Sequence, residues 1–270
     1  MKILFIGGGN MANALIGGLI EQGFATRDIE VAEISAQARA RLSELHGVRT
    51  VPSVHEADPA HDVVVLAVKP PQMATVCRAL GDKFRDALVV SIAAGIRTAD
   101  LSRWLGGRDR LVRAMPNTPA LLRAGISGLY ASPAVDAKDR REAQRILGAV
   151  GSVLWFEQER MLDAVTAVSG SGPAYVFYFI EALEQAALAL GIEAAAARKL
   201  AIETFLGAAR LAARGEDPPA VLREKVTSRG GTTERALKVL EASAVKDRII
   251  EAVRAAEQRA RELGEEFGRL

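Results

Sequence analysis

The chain of 270 residues has one cysteine, Cys77, and three histidines. A single thiol excludes an internal disulfide and predicts a reducing compartment, the cytoplasm. His46, His55 and His61 fall in polar connecting segments and do not approach Cys77 at ligand spacing, so no metal site is expected. Charge of one sign is also missing: 35 basic and 33 acidic residues leave a net charge of +2. That balance supplies no field for nucleic acid or an anionic membrane. Long hydrophobic runs are absent too. The most apolar stretch, Ala174 to Ile180, meets Glu181 and Glu184 and is too short to span a bilayer. The first residues read directly as a strand, so no signal peptide is expected. There is no solenoid repeat and no low-complexity tract. What remains is 49% hydrophobic and 25% charged, with length enough for a large core and two domains.

Against that background one stretch stands out, Ile3-Leu-Phe-Ile-Gly-Gly-Gly-Asn-Met-Ala12. Four apolar residues run into three glycines, and a helical pattern follows. Gly7, Gly9 and Ala12 match the G-x-G-x-x-G/A spacing of a dinucleotide-binding turn. Gly7 can turn sharply, Gly9 leaves room for a pyrophosphate, and Ala12 lets helix and strand pack closely. Phosphates would then meet free N–H groups at the positive end of a helix. An ordinary tight β–α turn is the other reading of the glycines alone.

The chain continues in alternation. The spacing predicts a helix from Asn10 to Gln22 stopped by Gly23, a strand over Ile29–Glu33, and a helix capped by Ser35 that ends near His46-Gly47. Asp62–Val68 reads as a buried parallel strand ended by Lys69-Pro70-Pro71, with a helix from Gln72 to Leu80. Ala87–Ile92 is a fourth strand, Thr98 caps a short helix, and Arg110–Ala114 is a fifth strand. Ile126–Ala131 and Ser152–Phe156 are further strands around a helix capped by Asp136. This is the pattern of a doubly wound, mostly parallel sheet, whose ligands bind at the carboxyl ends of the strands. Three of those ends, Gly7–Ala12, Ala67–Pro70 and Ala93–Gly95, carry small or special residues, which favours a ligand there.

After about Glu157 no strand is expected. Ser169-Gly-Ser-Gly-Pro173 reads as a turn with proline opening a helix that runs to Leu190, apolar almost all round. Further helices are predicted over Glu193–Arg214, after Asp217-Pro-Pro219, over Thr233–Leu240 and over Val245–Leu263. About 110 residues of helix cannot easily cover such a face alone, so a dimer is predicted. Between two of these helices lies Ser228-Arg-Gly-Gly-Thr-Thr233. Two glycines and two threonines before a helix suit an anion cradle for a carboxylate opposite a nicotinamide. A glycine-rich turn with a threonine N-cap is the alternative. Glu234 in the first turn fits both.

Together, these blocks resemble pyrroline-5-carboxylate reductase over the whole length. They are Phe5-Ile-Gly-Gly-Gly-Asn-Met-Ala12, Ala67-Val-Lys-Pro70, Val90-Ser-Ile-Ala-Ala-Gly95, Arg113-Ala-Met-Pro-Asn-Thr-Pro-Ala120, Ser169-Gly-Ser-Gly-Pro-Ala-Tyr175 and the segment around Ser228–Thr233. The resemblance implies an N-terminal Rossmann domain over residues 1–157 and an all-helical dimerisation and substrate domain over 158–270. It implies hydride transfer from NADPH or NADH to 1-pyrroline-5-carboxylate, giving L-proline. It places Ile6, Gly7, Gly8, Gly9, Asn10, Met11 and Ala12 on the pyrophosphate side. Ala67, Val68, Lys69, Pro70 and Ala94 approach the ribose and nicotinamide, with Asn117 near the same end. Ser228, Gly230, Gly231, Thr232 and Thr233 would hold the substrate, with the Thr233 hydroxyl on its ring nitrogen. Homodimers would assemble further into decamers. A substrate that binds as the iminium brings its own proton, so no catalytic histidine is needed.

Three positions depart from the family pattern. Arg229 stands where proline is usual, leaving φ less fixed. Val54 stands where relatives often place an asparagine. Glu33 ends the second predicted strand, where a carboxylate can bond a ribose 2′-OH and would repel a 2′-phosphate; it can equally point to solvent. The expectation is that NADH is used at least as well as NADPH. Two rivals were weighed. A β-hydroxyacid dehydrogenase-like oxidoreductase should carry a lysine where Ser169-Gly-Ser-Gly172 stands. A non-catalytic NAD(P)-sensing protein need not keep the second loop.

Overall fold

The computed structural model describes residues 1–269, which fall into two compact units. One comprises Met1–Ser171 and the chain from Ala256 onward; the other is Gly172–Ala255.

The first unit alternates strand and helix. In chain order it runs β1 (Ile3–Ile6), α1 (Asn10–Glu21), β2 (Ile29–Ala32), α2 (Ala36–His46), β3 (Arg49–Val51), β4 (Val63–Leu66), α3 (Met73–Leu80), β5 (Leu88–Ser91), α4 (Thr98–Trp104) and β6 (Leu111–Met115). It continues β7 (Gly125–Ala131), α5 (Ala137–Gly148), β8 (Gly151–Trp155) and α6 (Met161–Val165). The strands form one sheet in the order β3-β2-β1-β4-β5-β6-β7-β8. Every pairing is parallel except β6 with β7. All four residues of β1, β2, β4 and β5 are buried, as strands covered on both faces require. One face packs around Phe5, Leu15, Ile16 and Val65, the other around Leu4, Leu66, Met73 and Phe84.

The register decides where a ligand can sit. Ile6 pairs with Ala32 and with Leu66, and Leu66 pairs with Ser91. Four strands therefore end at one level, and the segments after them emerge along a single edge.

Some expectations need correction. β3 was not expected; its three residues carry too little pattern to register. The N-cap of α4 is Arg97, not Thr98. Thr98 instead sends its N–H and its hydroxyl to Glu159, each at 2.7 Å. The histidines are less peripheral than expected. His46 ends α2 and lies 2.8 Å from Asn13 Oδ1. The buried His61 ring lies 2.6 Å from the Asp58 carbonyl and 3.4 Å from Glu30. Among the described residues no group of side chains could hold a metal ion. The Ser35 and Asp136 caps form as expected, accepting from Ala38 and Asp139 N–H. Thr166–Gly170 forms a π-helical turn after α6, overlapping the start of the turn expected at Ser169–Pro173.

The second unit is helical: α7 (Gly172–Ala189), α8 (Ala194–Arg214), α9 (Pro219–Lys225), α10 (Thr232–Ala242) and the start of α11 (Val245–Gly268). α7 and α8 form an antiparallel hairpin with Phe179 stacked on Phe205 at 6.5 Å. Only Ala197 and Ala201 are buried among the described residues of this unit. Phe177 is 66% exposed and Tyr178 is 70% exposed. α11 runs past the predicted Leu263 and rejoins the first unit from Ala256.

Candidate active site

At the carboxyl edge of the sheet, Gly7 leaves β1 with φ +97° and donates its N–H to Ala32 O at 2.9 Å. A Cβ at Gly7 would lie 2.7 Å from Ala67 O, so both its backbone angle and its packing require glycine. Ala67 is held in turn by its N–H on Ile6 O at 2.8 Å. Gly9 is the N-cap of α1. A Cβ there would meet nothing within 4 Å, so the space above it is open. α1 has no side-chain cap, in contrast to α2 and α5, and no acidic residue in its first turn. Uncapped N–H groups from Asn10 to Ala12 beside an open Gly9 fit a pyrophosphate.

Glu33 does not point away into solvent. Its Oε2 accepts from Gly8 N–H at 2.7 Å and its Oε1 from Ser35 N–H at 2.8 Å. A cavity of about 260 Å³ adjoins this bridge, lined by Gly8, Asn10, Asn13, Ser35, Ala38 and Arg41 among others. Sequence reasoning recorded Ser35 only as a helix cap and missed Asn13 and Arg41. Asn13 lies one turn beyond Gly9 on the same helix, a spacing that could have flagged it.

Ala67 and Val68 follow β4 on this edge, and Lys69 is the N-cap of a short helical turn at Pro70–Gln72. Ala94 follows β5, two residues beyond the Ile92 N–H that bonds Leu66 O at 3.2 Å. Asn117 is buried, with its amide engaged at both ends. Its Nδ2 donates to Ser169 O at 3.1 Å, and its Oδ1 accepts from Ile126 N–H at 2.9 Å. Its side chain ties the π-helical turn to β7.

A buried ion network was not foreseen. Arg113 on β6 is 3% exposed and reaches Glu159 at 3.4 Å and Asp163 at 3.2 Å. Because Glu159 also holds Thr98, one carboxylate and one guanidinium lock α4 and α6 to the sheet. An arginine inside an apolar strand was the signal available in the sequence.

In the helical unit, the N-cap of α10 is Gly231, not a threonine. Gly231 N–H donates to Ser228 O at 3.1 Å, and Gly230 takes φ +73°. The Glu234 carboxylate accepts from Gly230 N–H and pairs with Lys238 at 2.8 Å. The Lys238 ammonium, then the Gly230 N–H, hold its carboxyl below the usual range. Thr232 and Thr233 occupy the first two helical positions, and no side chain caps the helix. Their hydroxyls have no partner within the described chain. The result is a helix start with a curled glycine pair and two uncommitted hydroxyls, a donor array suited to a carboxylate.

The comparisons with known proteins agree across the chain. A pyrroline-5-carboxylate reductase dimerisation model matches residues 159–263. An "NADP oxidoreductase coenzyme F420-dependent" model matches residues 2–95. A curated pyrroline-5-carboxylate reductase of Pseudomonas aeruginosa is 47% identical over 99% of this chain and 98% of its own. The chain belongs to the pyrroline-5-carboxylate reductase family. A solved family member from Coxiella burnetii superposes with a TM-score of 0.90 at 43% identity, covering 97% of this chain and 98% of the other. A Plasmodium falciparum pyrroline carboxylate reductase, solved with NADP bound, gives 0.86 at 26% identity, covering 98% of each chain. The six family blocks, from the glycine turn to Ser228–Thr233, thus fall within this whole-length likeness.

Proposed function

We infer that this chain reduces 1-pyrroline-5-carboxylate to L-proline with NAD(P)H, the last step of proline biosynthesis. The observation that carries the reading is the 47% identity across 99% of the chain with a curated enzyme of that activity. The nicotinamide supplies the hydride that carbon 5 of the ring receives. The chain's own part is to bind and orient. The bare start of α1, from Gly7 to Ala12 with Ile6 before it, takes the pyrophosphate. Ala67–Pro70 and Ala94 line the ribose and nicotinamide side. Asn117 acts through the turn that it holds.

The start of α10, with Ser228, Gly230, Gly231 and Thr232, holds the ring carboxylate on backbone N–H groups. The Thr233 hydroxyl oxygen accepts from the protonated ring N–H, fixing the C=N bond for attack. A reaction whose substrate carries its own proton needs positioning more than acid–base chemistry. That requirement accords with a site in which no histidine is placed. Residues 1–157 form the cofactor part and 158–270 the dimerisation and substrate part. The chain acts as a homo-oligomer, dimers gathering into decamers in the cytoplasm. Among the described residues no helix is long and apolar enough to cross a membrane.

The test is loss of the reduced-nicotinamide absorbance on adding pyrroline-5-carboxylate to purified protein, with proline identified as product. Sedimentation of the same sample reads the assembly. Absence of turnover with either cofactor overturns the reading.

A further inference from the structure

The Glu33 carboxylate is fixed in place. It bridges the second glycine of the turn and the residue that caps α2, through the two N–H donors already described. Its main chain is also held. The Glu33 N–H bonds Val51 O at 3.0 Å, and its carbonyl accepts from Arg39 Nη1 at 2.8 Å. To move away, the carboxylate would have to give up two charge-assisted hydrogen bonds. A carboxylate has about four acceptor positions, and two are used here, so it retains capacity for hydroxyl donors.

The cations nearby do not cancel it. Arg39 is committed through Nη1 to the carbonyls of Glu33 and, at 2.9 Å, Ile34. Arg41 is the remaining cation lining the cavity beside Gly8, and it is exposed. Ile34, next to the carboxylate, is 81% exposed and offers no donor side chain.

We propose that Glu33 sets the cofactor choice of this enzyme in favour of NADH. Its carboxylate accepts from the vicinal hydroxyls of the adenosine ribose and rejects a ribose that carries a 2′-phosphate. The inference rests on the reading of the chain as a nicotinamide-dependent reductase. Its chemistry is local. A 2′-hydroxyl brings a proton to a fixed acceptor, whereas a phosphate dianion brings none and adds like charge at hydrogen-bond range. The same side chain braces the glycine turn, so recognition and loop shape share one group.

The experiment compares kcat/KM for NADH and NADPH, and direct binding of each by nicotinamide fluorescence. It uses the wild type, Glu33→Gln and Arg41→Ala. Glutamine keeps an acceptor for Gly8 N–H and removes the charge. The wild type is expected to favour NADH by about tenfold or more, the scale a like-charge contact imposes. Glu33→Gln should raise the NADPH-to-NADH ratio by a similar factor, with Tm lowered by only about 2–6 °C because glutamine keeps one of the two acceptors. Arg41→Ala should leave the preference for NADH in place. A wild type that uses NADPH as well as NADH overturns the proposal, as does a ratio that Glu33→Gln does not move. A preference for NADPH that Arg41→Ala abolishes would assign the phosphate to Arg41 and overturn it as well. Selective NADH binding without turnover of pyrroline-5-carboxylate would leave the proposal standing and remove the substrate assignment instead.

Discussion

The nucleotide half and the helical half treat apolar side chains in opposite ways. In the first, every residue of β1, β2, β4 and β5 is buried. In the second, the 18-residue α7 buries none. α8 buries only two alanines and leaves Leu206 and Leu211 exposed. The first half carries its own core. The second is built like half of a core, and it lies within the stretch that matches a dimerisation model.

The comparison breaks most visibly at α7. Phe177→Glu places a charge where 66% of the side chain is exposed in a single chain. It should leave helix content intact, turn the oligomer into monomers on sedimentation, and abolish turnover. An oligomer that survives would remove the contrast between the halves. In the first half, Asp163→Ala removes one of the two carboxylates on the buried Arg113 guanidinium, leaving Glu159, and should cost about 1.5–3 kcal/mol of stability, read by denaturant unfolding. Thr233→Ala should lower kcat on the order of 10²-fold, the scale of one lost transition-state hydrogen bond, without changing the melting temperature. If that variant keeps wild-type turnover, the hydroxyl has no such role.

Smaller effects separate two glycines of one turn. Gly7→Ala should cost more than the roughly 1–2 kcal/mol of its φ of +97°, because its Cβ would also press within 2.7 Å of Ala67 O. Gly9→Ala meets no atom within 4 Å and should spare stability while raising the KM for the cofactor. The smallest effect is at Cys77, whose thiol burial pushes up to about 12 from 9.0. A raised folded pKa means the neutral thiol is favoured. Its contribution is whole below pH 9 and fades as pH climbs toward 12. Thiol reagents at neutral pH should therefore label Cys77 only as the first half unfolds.

Much of the nucleotide half was legible because its signals are local. A glycine needed at positive φ, a serine cap and an apolar strand each announce themselves within a few residues. Gly7, Ser35 and Val63–Leu66 are such cases. The misses are relations between distant segments. Thr98 looks like a cap, yet its hydroxyl bonds a residue 61 positions away. β3 exists because β2 offers it an edge, not because its three residues insist on a strand. The threonines at the second loop read as caps until Gly231 takes that position. The bridge from Glu33 to Gly8 spans 25 residues, and nothing in either segment alone reveals it.

α11 starts in the helical unit and, from Ala256, belongs to the nucleotide unit. There Gly264 lets it lie close to Gly95 and Arg97: a Cβ at Gly264 would come within 3.2 Å of both. The segment that follows β5 is therefore covered by a helix that comes much later in the chain. On a ribosome, the nucleotide half must wait, with its Gly95 turn uncovered, until α11 has emerged. A fragment cut at Ser171 would reproduce that waiting state rather than a finished domain.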